Sequence, residues 1–118
     1  MTNPLADDQL EVTPADVAEA LESGSATVID VREPYEREAG YIEGTRHIEI
    51  ERLASQAETI DRDRPVIFQC RLGSRSAMAA QAFRAAGYEA YSLEGGIQRW
   101  HDEGRPLSPD GDGVVADH

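Results

Sequence analysis

The chain has 118 residues and contains no lysine, a single cysteine, one tryptophan and two phenylalanines. One cysteine excludes an intrachain disulfide. No apolar run approaches the roughly 18 residues that a membrane-spanning helix needs, although 40% of the residues are hydrophobic. Met1 to Leu10 has neither a basic segment nor an apolar core of the secretory type, so no signal peptide is expected and the cytoplasm is the expected compartment. The three histidines form no cluster with the cysteine at metal-ligand spacing, and neither a metal nor another cofactor is expected.

With lysine absent, all eleven basic residues are arginine, set against 23 carboxylates for a net charge of −12. Net repulsion disfavours nucleic acid and anionic membranes as partners. The length is that of one domain with one core.

The stretch that carries chemistry runs from Val66 to Gly87 and includes the cysteine. Val66-Ile67-Phe68 is a short apolar run, and Ala77 to Ala86 has no proline, glycine or β-branched residue, so the pattern predicts strand, tight loop, helix. Cys70 falls where the strand hands over to the helix. In open α/β sheets ligands bind beyond the carboxyl ends of the strands, where the next helix points its unpaired N–H groups. A thiol acts as a nucleophile when its thiolate is stabilised by such a helix end and by nearby cations. Arg71 and Arg75 are the candidate cations. Gly73 allows positive φ and an inward-facing nest of N–H groups. Ser74 and Ser76 offer hydroxyls and a candidate helix cap.

Four separated motifs resemble, in order and spacing, the single-domain rhodaneses, the thiosulfate sulfurtransferase-like family. These are V-I-D-V-R-E-P from Val28, G-Y-I-E-G-T from Gly40, the loop C-R-L-G-S-R from Cys70, and L-E-G-G-I-Q-R-W from Leu93. The resemblance covers most of the chain between Leu10 and Pro106. It implies an α/β fold with a largely parallel sheet of about five strands flanked by helices. It also implies that Cys70 is the catalytic residue and that Arg71, Leu72, Gly73, Ser74 and Arg75 form the substrate and persulfide loop. The family pattern G-H-I-P-G-A is replaced here by G-Y-I-E-G-T, which leaves the turn glycines in place but changes the site rim at Tyr41 and Glu43. The loop is one residue shorter than that of the related phosphatases, and a smaller ring of donors suits a sulfur atom better than a phosphoryl group.

The rest of the chain fits around this centre. Residues 1–9 are expected to be a mobile segment, 10–106 the domain, and 107–118 a disordered acidic tail. Leu10-Glu11-Val12 reads as a short strand. Thr13, Pro14 and Asp16 read as the capped start of a helix that ends at Gly24. Ala26 to Val31 is a buried strand in which Asp30 needs a partner, either Arg32 or the Cys70 loop. Structural support is the expected role of Asp30 and Arg32. Arg32 to Ala39 reads as a loop with one helical turn, and Ile50 to Ile60 as an amphipathic helix. His47, weighed as a base for Cys70, is expected to be structural, because the arginine-flanked loop can stabilise a thiolate without a base. Tyr88 to Leu93 is the next strand. Trp100 lies in the last helix, and in rhodaneses this segment packs beside the active-site loop. Trp100 is expected to be core, with a substrate wall as the lesser alternative.

The expected chemistry is transfer of a sulfane sulfur from thiosulfate or a persulfide donor to a thiol or cyanide through a Cys70 persulfide. Arg71 and Arg75 are expected to bind the anionic donor. The rivals are a persulfide carrier or sulfide-sensing module for one protein partner, and a phosphatase or arsenate reductase on the related fold.

Overall fold

The computed structural model describes residues 9–108 and Val115. Five strands, β1 (Glu11–Val12), β2 (Thr27–Asp30), β3 (Arg46–His47), β4 (Val66–Gln69) and β5 (Ala90–Leu93), alternate with helices. The helices are α1 (Pro14–Ser23), α2 (Pro34–Ala39), α3 (Leu53–Gln56), α4 (Ser74–Ala85) and α5 (Gly96–Asp102). The sheet order is β1-β5-β4-β2-β3 and every pairing is parallel. This is the expected sheet, and its parallel pairing explains why the central strands read as apolar runs buried on both faces. Among the described residues no helix is long and apolar enough to cross a membrane.

The core forms two layers, one on each face of the sheet. Side chains alternate along β4, so Val66, Phe68 and Cys70 enter the layer under α4, with Ala80 and Phe83. Ile67 enters the other layer, with Val17 and Ala20 of α1 and Ile97 and Trp100 of α5. Cys70 thus belongs to the α4 side and Trp100 to the opposite side.

Local chemistry sets the helix ends. Thr13 Oγ1 accepts from Asp16 N at 3.2 Å while Asp16 Oδ2 accepts from Thr13 N at 3.1 Å, closing the expected capping box. Gly24 ends α1 at φ 71°.

Four expectations are corrected. The stretch from Ile50 to Ile60 is no single amphipathic helix but a 3₁₀ turn (Ile50–Arg52), the one-turn α3 and a second 3₁₀ turn (Ala57–Thr59). Tertiary bonds pin its second half: Tyr88 OH donates to Ala57 O at 2.9 Å, and Arg46 Nη1 to Thr59 O at 3.1 Å. The first strand omits Leu10. The cap of α4 is Gly73 rather than Ser74 or Ser76. Finally, the tail does not begin at 107. Leu107 is buried, and Ser108 makes a two-bond antiparallel bridge with Tyr41 at 2.7 and 3.2 Å. Val115 packs against the Trp100 side of the core. The expected mobile residues 1–8, and residues 109–114 and 116–118 of the expected tail, lie outside the described residues. Gln9 is tied down, its carbonyl accepting from Arg84 Nη2 at 2.6 Å.

Candidate active site

The loop from Cys70 to Arg75 closes because Gly73 takes φ 112°, a left-handed conformation that side chains disfavour. That turn brings the Gly73 N–H to 3.1 Å from Cys70 Sγ and the Ser76 N–H to 3.4 Å. Ser76 Oγ lies 3.4 Å from the sulfur, 3.2 Å from Gly73 O and 2.7 Å from Ser92 Oγ. A carbonyl only accepts, so the Ser76 proton can go to Gly73 O, to the sulfur or to Ser92 Oγ, and Ser92 can donate to Ser76 when the Ser76 proton points elsewhere. The hydroxyl pair therefore serves a thiol and a thiolate by rotation alone. Each of these hydrogen-bond partners of Sγ is neutral.

The carbonyl side of the loop is held by the next motif. Ile97 N donates to Cys70 O at 2.8 Å and Gln98 N to Arg71 O at 3.0 Å, so the first turn of α5 finds its acceptors in the loop. This contact explains the second glycine of the pair. Gly96 has φ 62°, and a Cβ there would stand 2.6 Å from Cys70 O.

The charges sit one layer farther out. Asp30 and Arg32 are fully buried and joined by two bonds, Nε to Oδ1 at 2.9 Å and Nη2 to Oδ2 at 2.8 Å. Arg32 also donates to Gly40 O at 2.8 Å and to Glu36 O at 3.4 Å, fixing α2. Arg37 Nη1 reaches Asp30 Oδ2 at 3.3 Å. Glu36, fully buried, then takes Arg75 as a fork, at 2.8 Å to Oε1 and 3.1 Å to Oε2. Burial opposes ionisation of Glu36. The Arg75 fork, the Glu33 amide and the charges of Arg75 and Arg32 outweigh it, so its carboxyl titrates below the ordinary glutamate value of 4.5. The bond to Glu36 correspondingly raises Arg75 above its ordinary range.

The structure thus brings together Cys70, Gly73, Ser76 and Ser92 around one sulfur, with Arg71, Leu72, Ser74 and Arg75 lining a mouth of about 130 Å³. Of its two candidate partners, Asp30 takes Arg32 rather than the Cys70 loop. Arg75 lines the mouth, but both its terminal nitrogens are committed to Glu36. Trp100 is buried on the far face, where its Nε1 donates to Pro106 O at 2.9 Å. It lines a larger groove of about 280 Å³ with Ile42 and Leu107. That groove holds none of the loop residues, whereas the smaller mouth is lined by four of them. His47 Nε2 meets the Arg32 carbonyl at 2.7 Å, which requires it to donate, and β2 separates it from β4. Glu36 and Ser92 were not legible from the sequence. Three glutamates cluster around α2, and nothing in their spacing selects the one facing Arg75. No group of three or more His, Cys, Asp or Glu side chains among the described residues could hold a metal ion.

A parallel five-stranded sheet with its cysteine loop between β4 and α4 defines the class. The Rhodanese-like domain family model matches residues 13–103, and the chain belongs to that family. It is 36% identical over 90 residues to the thiosulfate sulfurtransferase GlpE of Pseudomonas aeruginosa, covering 75% of this chain and 81% of that protein. It is 43% identical over 76 residues to the uncharacterized protein YqhL of Bacillus subtilis, covering 64% of this chain and 60% of YqhL. The crystal structure of a rhodanese-related protein from Thermoplasma volcanium superimposes with a TM-score of 0.77 at 35% identity, covering 83% of this chain and 96% of that one.

Proposed function

We propose that the chain is a sulfurtransferase that carries a sulfane sulfur on Cys70. The observation that supports this best is the cradle around Sγ, where Gly73 N, Ser76 N and Ser76 Oγ converge within 3.4 Å of one atom. The thiolate attacks the outer sulfur of thiosulfate, the new Cys70 S–S bond forms, and the donor's S–S bond breaks to release sulfite with its electron pair. Neutral donors suit the resulting persulfide anion, as preorganised dipoles stabilise charge without rearranging. An acceptor thiolate or cyanide then attacks the outer sulfur and returns the Cys70 thiolate. Arg71 and Arg75 stand at the mouth, where guanidinium charge favours an anionic donor despite the net −12, with the Arg75 charge shared with Glu36. Exposed charges farther away are screened over about 8 Å at physiological salt.

Intact mass after incubation with thiosulfate tests the reading. One added sulfur on the wild type, absent from Cys70→Ala and discharged by cyanide or glutathione, is the expected result. No added sulfur on the wild type overturns it.

A further inference from the structure

The strand β5 carries one serine among apolar residues. Ser92 is fully buried, and its N–H is spent on Leu10 O at 2.9 Å. A hydroxyl in such a place costs stability unless it finds a partner. Among the described residues the Ser92 hydroxyl has one, Ser76 Oγ at 2.7 Å. Strand pairing prepares this contact. Ser92 is the register partner of Phe68, whose side chain enters the layer under α4 together with Cys70, and Ser76 lies in the first turn of α4.

Two hydroxyls bring two protons, and one arrangement places both among the described residues. If Ser76 donated to Ser92, the Ser92 proton would have no acceptor, the costly outcome for a buried donor. If Ser92 donates to Ser76, the Ser76 proton still has two acceptors, Gly73 O at 3.2 Å and Sγ at 3.4 Å. A thiol is then served by Ser76 bonding to Gly73 O while accepting the S–H, and a thiolate by Ser76 turning its proton to the sulfur. In the thiolate state the two bonds run head to tail from Ser92 to the anion, and each strengthens the next.

The charged groups of the surrounding elements are engaged elsewhere. Arg75 of α4 is coupled electrostatically to Cys70, and its terminal nitrogens are held by Glu36 of α2. Arg71 stands at the mouth. Asp30 on β2 is taken by Arg32 and Arg37, and Glu94 after β5 by Arg99 of α5. His101 and Asp102 of α5 are exposed. The Ser92 hydroxyl bonds to none of these groups, so its loss alters the hydroxyl chain and leaves the ion pairs in place. We propose that Ser92 is a positioning residue, donating to Ser76 so that the Ser76 hydroxyl becomes the donor that follows the charge of Cys70. Its part in catalysis rests on the sulfur-transfer reading of Cys70, because attack on the donor needs the thiolate that this chain of hydroxyls favours.

Titration of the thiolate by its ultraviolet absorbance, with Cys70→Ala as the blank, tests this without any sulfur donor. In Ser92→Ala the thiolate signal is expected to rise at higher pH than in the wild type, leaving about three- to tenfold less thiolate on the acid side of the transition. Added to Ser76→Ala, the same substitution is expected to move the curve no further, because Ser92 acts through Ser76. Neutron diffraction on the wild-type protein reads the direction of the bond itself, with the Ser92 deuterium expected on the line to Ser76 Oγ. Superimposed titrations of wild type and Ser92→Ala, an equal shift with and without the Ser76 hydroxyl, or a Ser76 deuterium pointing at Ser92 Oγ each overturn the assignment. A wild type that gains no sulfur from thiosulfate instead overturns the transfer reading, and the titration and the neutron map still decide the role of Ser92.

Discussion

Two regions of the molecule handle charge in opposite ways. Around Cys70 Sγ the partners are amides and hydroxyls, all neutral, within 3.4 Å. One layer out stand two ion pairs, the buried Asp30–Arg32 and the Glu36–Arg75 fork, linked by Arg32 donating to the Glu36 backbone carbonyl and running from β2 through α2 to α4. The difference separates two tasks. A sulfur that alternates between thiolate and persulfide needs dipoles that can serve both, whereas a loop that must keep its shape is best held by paired ions with fixed bidentate geometry. The arginine that looked like a substrate ligand from the loop motif belongs in part to the second task.

Substitutions on the two sides should therefore separate chemistry from scaffold. Cys70→Ala is expected to abolish sulfur transfer, by at least about a thousandfold, with thermal unfolding nearly unchanged. Retained transfer in that variant would show that the sulfur is carried elsewhere. Asp30→Ala leaves Arg32 buried without its carboxylate and is expected to cost about 3–5 kcal/mol in urea unfolding. An unchanged midpoint would mean that this pair does not hold the scaffold.

Gly96→Ala pushes a methyl group into the Cys70 and Arg71 carbonyls at a positive φ. A loss of about 1–3 kcal/mol is expected, together with slower persulfide formation, measured by stopped-flow and unfolding on the same preparation. Normal kinetics would show that α5 does not set the loop.

The pH dependence sharpens the contrast further. Glu36 has its carboxyl lowered in the folded state, so its contribution is fully present above its unfolded value near 4.5 and is lost as pH falls through the folded value. Glu36→Gln is expected to remove that acid-side slope and to lower stability at neutral pH by about 1–2 kcal/mol, as followed by unfolding between acid and neutral pH. An identical slope in wild type and variant would break the assignment. The smallest effect belongs to the cradle's back. Ser92→Ala removes one neutral donor behind Ser76 and is expected to slow transfer about three- to tenfold, near 1 kcal/mol, at unchanged thiosulfate KM.

Much of this site was legible before any coordinates. The apolar run ending in Cys70, the glycine three residues on and the alanine-rich helix are local signals, and local propensity decided them. Asp30 was legible as a buried carboxylate in need of a partner, because an apolar strand cannot leave one unpaired. The helix expected from Ile50 to Ile60 is broken into three short turns, and bonds from Tyr88 and Arg46, both outside the segment, hold its last turn in place. In sequence Leu107 and Ser108 open a stretch with the composition of a tail. Ser108 pairs with Tyr41 and Leu107 joins a core layer that includes Val12, Val28 and Ile42, all far away in sequence.

By itself the sequence determined the alternation of strands and helices, the strand-to-helix position of Cys70 and the glycine that turns its loop, because these depend on residues within a few positions of one another. Only the tertiary structure decided that Glu36 rather than Glu33 or Glu38 grips Arg75 and that Ser92 stands behind Ser76. Those pairings join segments far apart in the chain, and the parallel sheet, by carrying every strand's carboxyl end to one edge, brings them within reach.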